Sequence, residues 1–173
     1  DVAEAAGVSR PLVYKYFGDK DGLIDAVLET TFEEWSALNS SLMPVGGGDT
    51  DDPAAALASK FSATIAFVRE RPVFGAILNH DSQVVVRGHL DGLRQSRAVS
   101  LAATREIVVA GIEAGTFRED LAVDSVAASL EMVLFSLLQR ALGLLPELVL
   151  EDELVSTTLD LLIRGLRPDP ARD

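Results

Sequence analysis

Apolar residues recur along this chain at three- and four-residue steps, the spacing that places side chains on one face of an α-helix. One clear example is the set Leu57, Phe61, Ile65 and Val68. Alternating apolar and polar runs are nearly absent, and the valine run at 84–86 is too short to build a sheet. The pattern therefore predicts an all-α fold.

Glycine, proline and capping residues mark where the predicted helices begin and end. A short helix over 1–6 ends at Gly7, a second runs from Ser9 to about Phe17, and a third begins near Asp19. The apolar face of this third helix is expected to contain Leu23, Ala26, Val27, Thr30, Thr31 and Trp35. A loop at 44–53 then separates these leading helices from a larger body. The helices predicted in that body are one that ends before residue 71, a short one around 74–78, and three longer ones at 83–114, 123–145 and 151–164.

The predicted helix at 123–145 is apolar on more than one side, and after Asp124 in its first turn only Glu131, Gln139 and Arg140 are strongly polar. Such a helix needs cover from its own core and from another surface. A second copy of the chain is the economical cover, because symmetric homodimers are the commonest oligomers and two helices from each copy form a four-helix interface. The residues expected at this interface are Val126, Leu130, Leu134, Leu137, Leu138, Leu159 and Leu162.

Composition narrows the function classes. The 173 residues suffice for one domain or for one domain with a small appendage. No apolar run approaches the ~18 residues that span a bilayer, so we expect a soluble, cytoplasmic protein without a membrane partner. The chain has no cysteine, which excludes disulfides and thiolate metal sites, and its two histidines, His80 and His89, are not spaced as ligands on one helical face. No cofactor or metal is expected. Scattered carboxylates without a serine, histidine and aspartate cluster favour a solvated surface over an enzyme.

The net charge of −12 is unevenly distributed. Residues 24–59 contain acids and no base, whereas Arg10, Lys15 and Lys20 fall within eleven residues near the start. A local cationic surface therefore survives within an acidic protein.

Two short helices joined by a glycine-containing turn, with bases and tyrosines on the second, are typical of a helix-turn-helix. In that motif the first helix crosses the phosphate backbone and the second enters the major groove, where it needs donors and apolar groups. The second helix offers Arg10, Leu12, Tyr14, Lys15 and Tyr16. Lys20, at the start of the next helix, is placed to reach a phosphate.

The segment resembles a known family. Two families have to be compared. The opening residues, Asp1-Val2-Ala3-Glu4-Ala5-Ala6-Gly7-Val8-Ser9, taken alone fit the lactose-repressor family as well as they fit the family that the next residues indicate. The following Leu12-Val13-Tyr14-Lys15-Tyr16-Phe17-Gly18-Asp19-Lys20-Asp21-Gly22-Leu23 resembles the DNA-binding signature of the tetracycline-repressor (TetR) family of bacterial transcriptional regulators. The resemblance implies that Arg10, Tyr14, Lys15 and Tyr16 face DNA, that Ser9 caps the recognition helix, that Lys20 holds a phosphate, and that Phe17 and Leu23 are core residues.

The resemblance also implies the organisation of the chain. In that family a further helix precedes this segment, so residues 1–23 are expected to form a partial helix-turn-helix domain, residues 24–43 a connecting helix, and residues 51–173 a helical domain for effector binding and dimerisation. The expected protein is a homodimeric, ligand-responsive repressor that releases double-stranded operator DNA when an apolar effector binds.

Large apolar side chains in the body are the candidates for the effector pocket, and simple core packing is the alternative for each of them. The candidates are Trp35, Phe61, Ile65, Phe74, Leu78 and Phe135. A helical ligand-binding or interaction module without DNA binding is the alternative function.

Overall fold

The computed structural model describes residues 2–42, 52–71, 90–142 and 151–169. Within these ranges every regular element is an α-helix, which confirms the predicted all-α class. The helices are α1 (Val2–Ala5), α2 (Arg10–Phe17), α3 (Lys20–Ser41), α4 (Pro53–Arg69), α5 (Leu90–Glu113), α6 (Val123–Ala141) and α7 (Asp152–Leu166).

The predicted helix boundaries agree with the structure where the two can be compared. The second helix ends at Phe17 as expected, and α4 ends at Arg69, two residues before the expected break. Other predictions fall outside the described residues: most of the loop at 44–53, the short helix around 74–78, the start of the helix expected from 83, and the end of the helix expected to reach 145.

The hydrophobic core lies among α4, α5 and α6, and α3 packs along α5 and α4. The predicted apolar face of α4 is confirmed, because Leu57, Phe61, Ile65 and Val68 are all buried. The last helix also contributes, through Leu159 and Leu166. None of the helices in the described ranges is long and apolar enough to cross a membrane.

The buried face of α3 differs from the predicted one. Leu28, Thr31, Trp35 and Asn39 are its buried residues, whereas Val27 is 42% exposed. The stripe over Leu28–Asn39 faces the body, because the Trp35 indole Nε1–H donates to the carbonyl oxygen of Ser96 on α5 (3.3 Å). The apolar residues of the first turns instead border a groove beside α2. The helix α3 thus carries two apolar faces, one toward the body and one toward the groove. The sequence pattern predicted a single face that combined residues of both.

The close approach of α5 to the loop after it depends on Gly111. A Cβ at this position would lie 2.0 Å from Cδ2 of the buried Phe117 ring. We expect Gly111→Ala to lower the free energy of unfolding by about 1–3 kcal/mol, since the ring has little room to move. Urea denaturation measures the change. Gly165→Ala on α7 is the control, because its Cβ would meet nothing within 4 Å, and it should be neutral or stabilise by roughly 0.5–1 kcal/mol. Equal losses in the two variants would contradict this account.

Candidate nucleic-acid interface

The first candidate site is the head, which we define as residues 2–23. Its helices α1 and α2 are joined by a turn in which Gly7 has φ 66°, a conformation that glycine adopts without steric cost. The Val8 amide donates to the carbonyl oxygen of Ala3 (2.9 Å), and Ala3 is buried between the helices. The small Ala3 side chain allows α1 and α2 to approach closely, which is the geometry of a helix-turn-helix.

The helix α2 presents its side chains to solvent. It has no buried residue, and Val13 is the only one that is even half-buried. Tyr14 is 62% exposed and Tyr16 is 75% exposed, and Arg10, Leu12 and Lys15 are exposed as well. The residues expected to face DNA are therefore accessible on one short helix. Neither tyrosine is a core residue.

The ends of α2 fix its position relative to α3. Ser9 stands at the N-cap, where its carbonyl oxygen accepts from the amides of Leu12 (3.0 Å) and Val13 (3.3 Å), but its side chain makes no capping hydrogen bond. Asp19 caps α3 through its Oδ1, which accepts from the Gly22 amide (2.8 Å). The exposed Lys20 is the first residue of α3 and lies at the N-terminal end of that helix.

Phe17 corrects one expectation. It was predicted to be a core residue, but 38% of it is exposed, and Leu23 is only half-buried. Both border a groove that is also lined by Ala26 and Val27 on α3. Among the described residues no element covers the outer side of this groove, so these side chains keep part of their surface in water.

The head also has acids beside its bases. Asp19 and Asp21 flank Lys20, whereas α2 carries Arg10 and Lys15 and no acid. The exposed surface of α2 is therefore cationic in a strongly acidic chain. In the part of the chain that the structure describes, no group of three or more His, Cys, Asp or Glu residues could bind a metal ion.

A second candidate site is a cavity of about 330 Å³ between α3, α5 and α6. Of the predicted pocket residues, Trp35 and Phe135 line it, whereas Phe61 and Ile65 are buried in the core away from its walls. The remaining two, Phe74 and Leu78, lie outside the described residues. The cavity thus brings together Trp35 of the helix that leaves the head and Phe135 of the body.

Sequence reasoning missed the polar residues beside this cavity. Ser96, Ser100 and Thr104 are buried at four-residue steps along α5, and Ser96 and Ser100 line the cavity together with Glu131 of α6. The signal was present in the sequence, since polar residues at helical spacing on a face that also carries Ile107 indicate a buried polar stripe.

Lys60 of α4 lies behind these residues. Its side chain is fully buried, and its Nζ donates to Glu131 Oε1 (2.9 Å) and to Ser100 Oγ (2.9 Å). The Ser100 hydroxyl donates to Glu131 Oε2 (2.9 Å), and the Thr104 hydroxyl donates to Oε1. Burial lowers the pKa of Lys60 from its ordinary value, and the Glu131 carboxylate opposes that shift. We call these four residues the buried polar cluster.

The residues expected at a dimer interface fall into two groups. Five of them pack within the core of the chain itself: Leu130, Leu134, Leu137, Leu138 and Leu159. The other two, Val126 and Leu162, are partly buried against that core. The outward face of α6 is different, because its exposed positions from 125 to 136 are all small or apolar and uncharged: Ser125, Ala128, Ser129, Met132 and Ser136. Met132 is 72% exposed.

Comparison with known proteins identifies the head. Residues 1–27 match the family described as bacterial regulatory proteins, tetR family. The matched segment contains α1, α2 and the first turns of α3, the part of the chain that carries the TetR resemblance, which is thereby confirmed there. No curated protein matches the chain.

Proposed function

We propose that this chain, with its tetR-family segment at residues 1–27, is a DNA-binding transcriptional regulator that acts as a ligand-responsive repressor. The observation that carries the proposal is α2 itself. A helix with no buried residue, two exposed tyrosines and exposed bases makes little contribution to packing, so its side chains are available for another surface. Inserted in the major groove, Arg10, Tyr14 and Tyr16 would meet base edges while Lys15 and Lys20 hold phosphates.

The regulator would bind as a homodimer. An exposed helical face without charge is typical of interface cores, where charged residues are depleted. The outward face of α6 has this character, and in a two-fold dimer it would pack against the same face of the partner. Two heads would then contact two half-sites of a near-palindromic operator, with their spacing set by the dimer axis.

Effector control would pass through α3. This helix has 22 residues, about 33 Å at 1.5 Å per residue, and joins the head to the body without a break. Its Trp35 lines the cavity, donates to Ser96 of α5, and packs edge-on against Phe67 of α4 at 5.4 Å between ring centroids. An apolar effector in the cavity that shifts Trp35 would tilt α3 and respace the heads. A coupling free energy of ~1–3 kcal/mol suffices for release of the operator.

The test has two steps. A DNA sequence that the protein prefers is first selected, and the two lysines proposed to hold phosphates are then replaced by alanine. Duplexes retained from a random library by the full-length protein are used in fluorescence anisotropy at several salt concentrations. We expect Lys15→Ala with Lys20→Ala to weaken binding roughly 10²-fold and to flatten the salt dependence, because a dimer would lose four phosphate contacts.

Arg164→Ala is the matched control, since this exposed base lies on α7 and forms an ion pair with Asp160. It should bind like the wild type. If the protein shows no salt-dependent preference for any duplex, the chain is a helical ligand-binding or interaction module without DNA binding. If the double lysine variant binds as tightly as the wild type, the phosphate contacts proposed for Lys15 and Lys20 are wrong.

A further inference from the structure

The cavity between α3, α5 and α6 combines apolar walls with two charged side chains, Glu131 and Arg97. Trp35, Leu101, Leu134, Phe135 and Leu138 supply much of the apolar surface, and Glu131 supplies a carboxylate. The volume of about 330 Å³ lies at the lower end of the usual range for small-molecule sites. The walls therefore fit a compact apolar molecule. Glu131 and the charges around it determine which type of polar group that molecule can carry.

Glu131 retains hydrogen-bonding capacity. A carboxylate has about four acceptor positions, and three are occupied: Oε1 accepts from Lys60 and Thr104, and Oε2 accepts from Ser100. The Glu131 side chain is 21% exposed while that of Lys60 is fully buried. Glu131 lines the cavity, whereas Lys60 and Thr104 do not, so its remaining acceptor capacity is open to a molecule in the cavity.

The charges beside the cavity discriminate between ligand types. Lys60 pairs with Glu131 and offsets part of its attraction for a cation, and a cationic ligand would also face Arg97, which lines the cavity with its guanidinium carbon 5.3 Å from the centroid of the Phe135 ring. An organic anion would be attracted by Arg97, but Arg97 is exposed and its charge is screened by water, whereas the half-buried Glu131 repels the anion at close range. A neutral ligand that donates a hydrogen bond is repelled neither by Arg97 nor by Glu131.

We propose that the cavity binds a neutral, mainly apolar molecule with a hydroxyl or amide N–H group, which donates a hydrogen bond to Glu131. The inference rests on the proposed function only in treating this molecule as the effector. The binding itself depends on the cavity and the buried polar cluster, and the cavity shares Ala128 and Met132 with the outward face of α6.

Trp35 provides the measurement, since it is the only tryptophan in the chain and lines the cavity. The full-length protein is titrated with three probes of equal chain length, 1-octanol, octanoate and octylammonium, and Trp35 fluorescence is followed, with calorimetry as a second readout. We expect 1-octanol to bind about tenfold or more tightly than either charged probe, because octanoate has no hydrogen to donate to Glu131 and an ammonium group costs more than a hydroxyl to take out of water. Octanoate binding as tightly as 1-octanol, or no binding of 1-octanol up to its solubility limit, would overturn the proposal.

Two variants locate the probe. Glu131→Gln should remove the discrimination against octanoate, because the negative charge that repels the probe is lost. Ala98→Phe leaves the buried polar cluster intact and fills the cavity from α5, so it should weaken 1-octanol binding about tenfold or more. Unchanged 1-octanol affinity in Ala98→Phe would place the probe elsewhere and refute the site. No DNA is present in these titrations, so their failure leaves operator binding by the head untouched.

Discussion

Lys60→Met is expected to lower the free energy of unfolding by about 3–5 kcal/mol, as is typical when one partner of a buried ion pair is removed. Methionine fills nearly the same volume among the core residues of α4, so little of the loss would come from packing. The loss would come from Glu131, which would keep its negative charge and the hydroxyls of Ser100 and Thr104 but lose the ammonium that lies 2.9 Å from Oε1. Urea or guanidinium denaturation followed by circular dichroism measures the change.

The control is the double variant Lys60→Met with Glu131→Leu. Replacing a buried ion pair by apolar residues of similar volume is often neutral or stabilising, so the double variant should recover most of the stability lost by the single variant. The double-mutant cycle isolates the interaction between the two side chains. If Lys60→Met costs less than about 1 kcal/mol, or if Glu131→Leu makes that variant less stable still, the pair is not the source of the effect.

Lys60 also shows what the sequence could and could not predict. The buried face of α4 could be predicted because Leu57, Phe61 and Ile65 lie on a single helical stripe. Burial of that stripe follows from the periodicity of apolar residues alone. Lys60 stands next to this stripe, and its burial depends on an acid on α6 that is 71 positions away along the chain. Partners so distant in sequence meet only through tertiary packing, which composition and spacing do not specify.

The head shows the same division. The Gly7 turn and the exposed bases of α2 follow from local chemistry, which is why the helix-turn-helix was predictable. The exposure of Phe17 was not predictable, because it depends on what covers the groove between Phe17 and α3 rather than on the residues near it in the sequence. In α6 the apolar pattern was too broad to separate the side facing the core from the side facing outward. The exposure of each side chain in the structure separates the two sides of α6, because Leu130 and Leu134 are buried in the core and Ser129 is exposed.

DNA contact and dimerisation are proposed for different surfaces of the chain, so a mutation can disrupt one without the other. The head supplies phosphate and base contacts, while the outward face of α6 would hold two heads at a fixed distance. A variant that disrupts only the second surface leaves every DNA-contacting side chain in place. Any loss of operator affinity in such a variant then measures the advantage of binding two half-sites at once.

Ser129→Glu is the variant that tests this surface. Ser129 is exposed on α6, its hydroxyl donates to the carbonyl oxygen of Ser125 (2.8 Å), and it does not line the cavity. In a two-fold dimer the substitution would place two like charges in one uncharged interface, at a cost of several kcal/mol. We expect the protein to sediment as a monomer at micromolar concentration and to bind the selected operator about 10²–10⁴-fold more weakly, because the second half-site no longer binds intramolecularly.

Ser62→Glu on α4 is the control, because it adds the same charge at an exposed position outside the outward face of α6. It should remain a dimer with wild-type operator affinity, while the thermal stability of both variants should stay near that of the wild type. A Ser129→Glu protein that sediments as a dimer would show that the interface lies on another surface. A monomeric Ser129→Glu protein with unchanged operator affinity would show instead that one head suffices for operator binding, and the two-half-site account would be wrong.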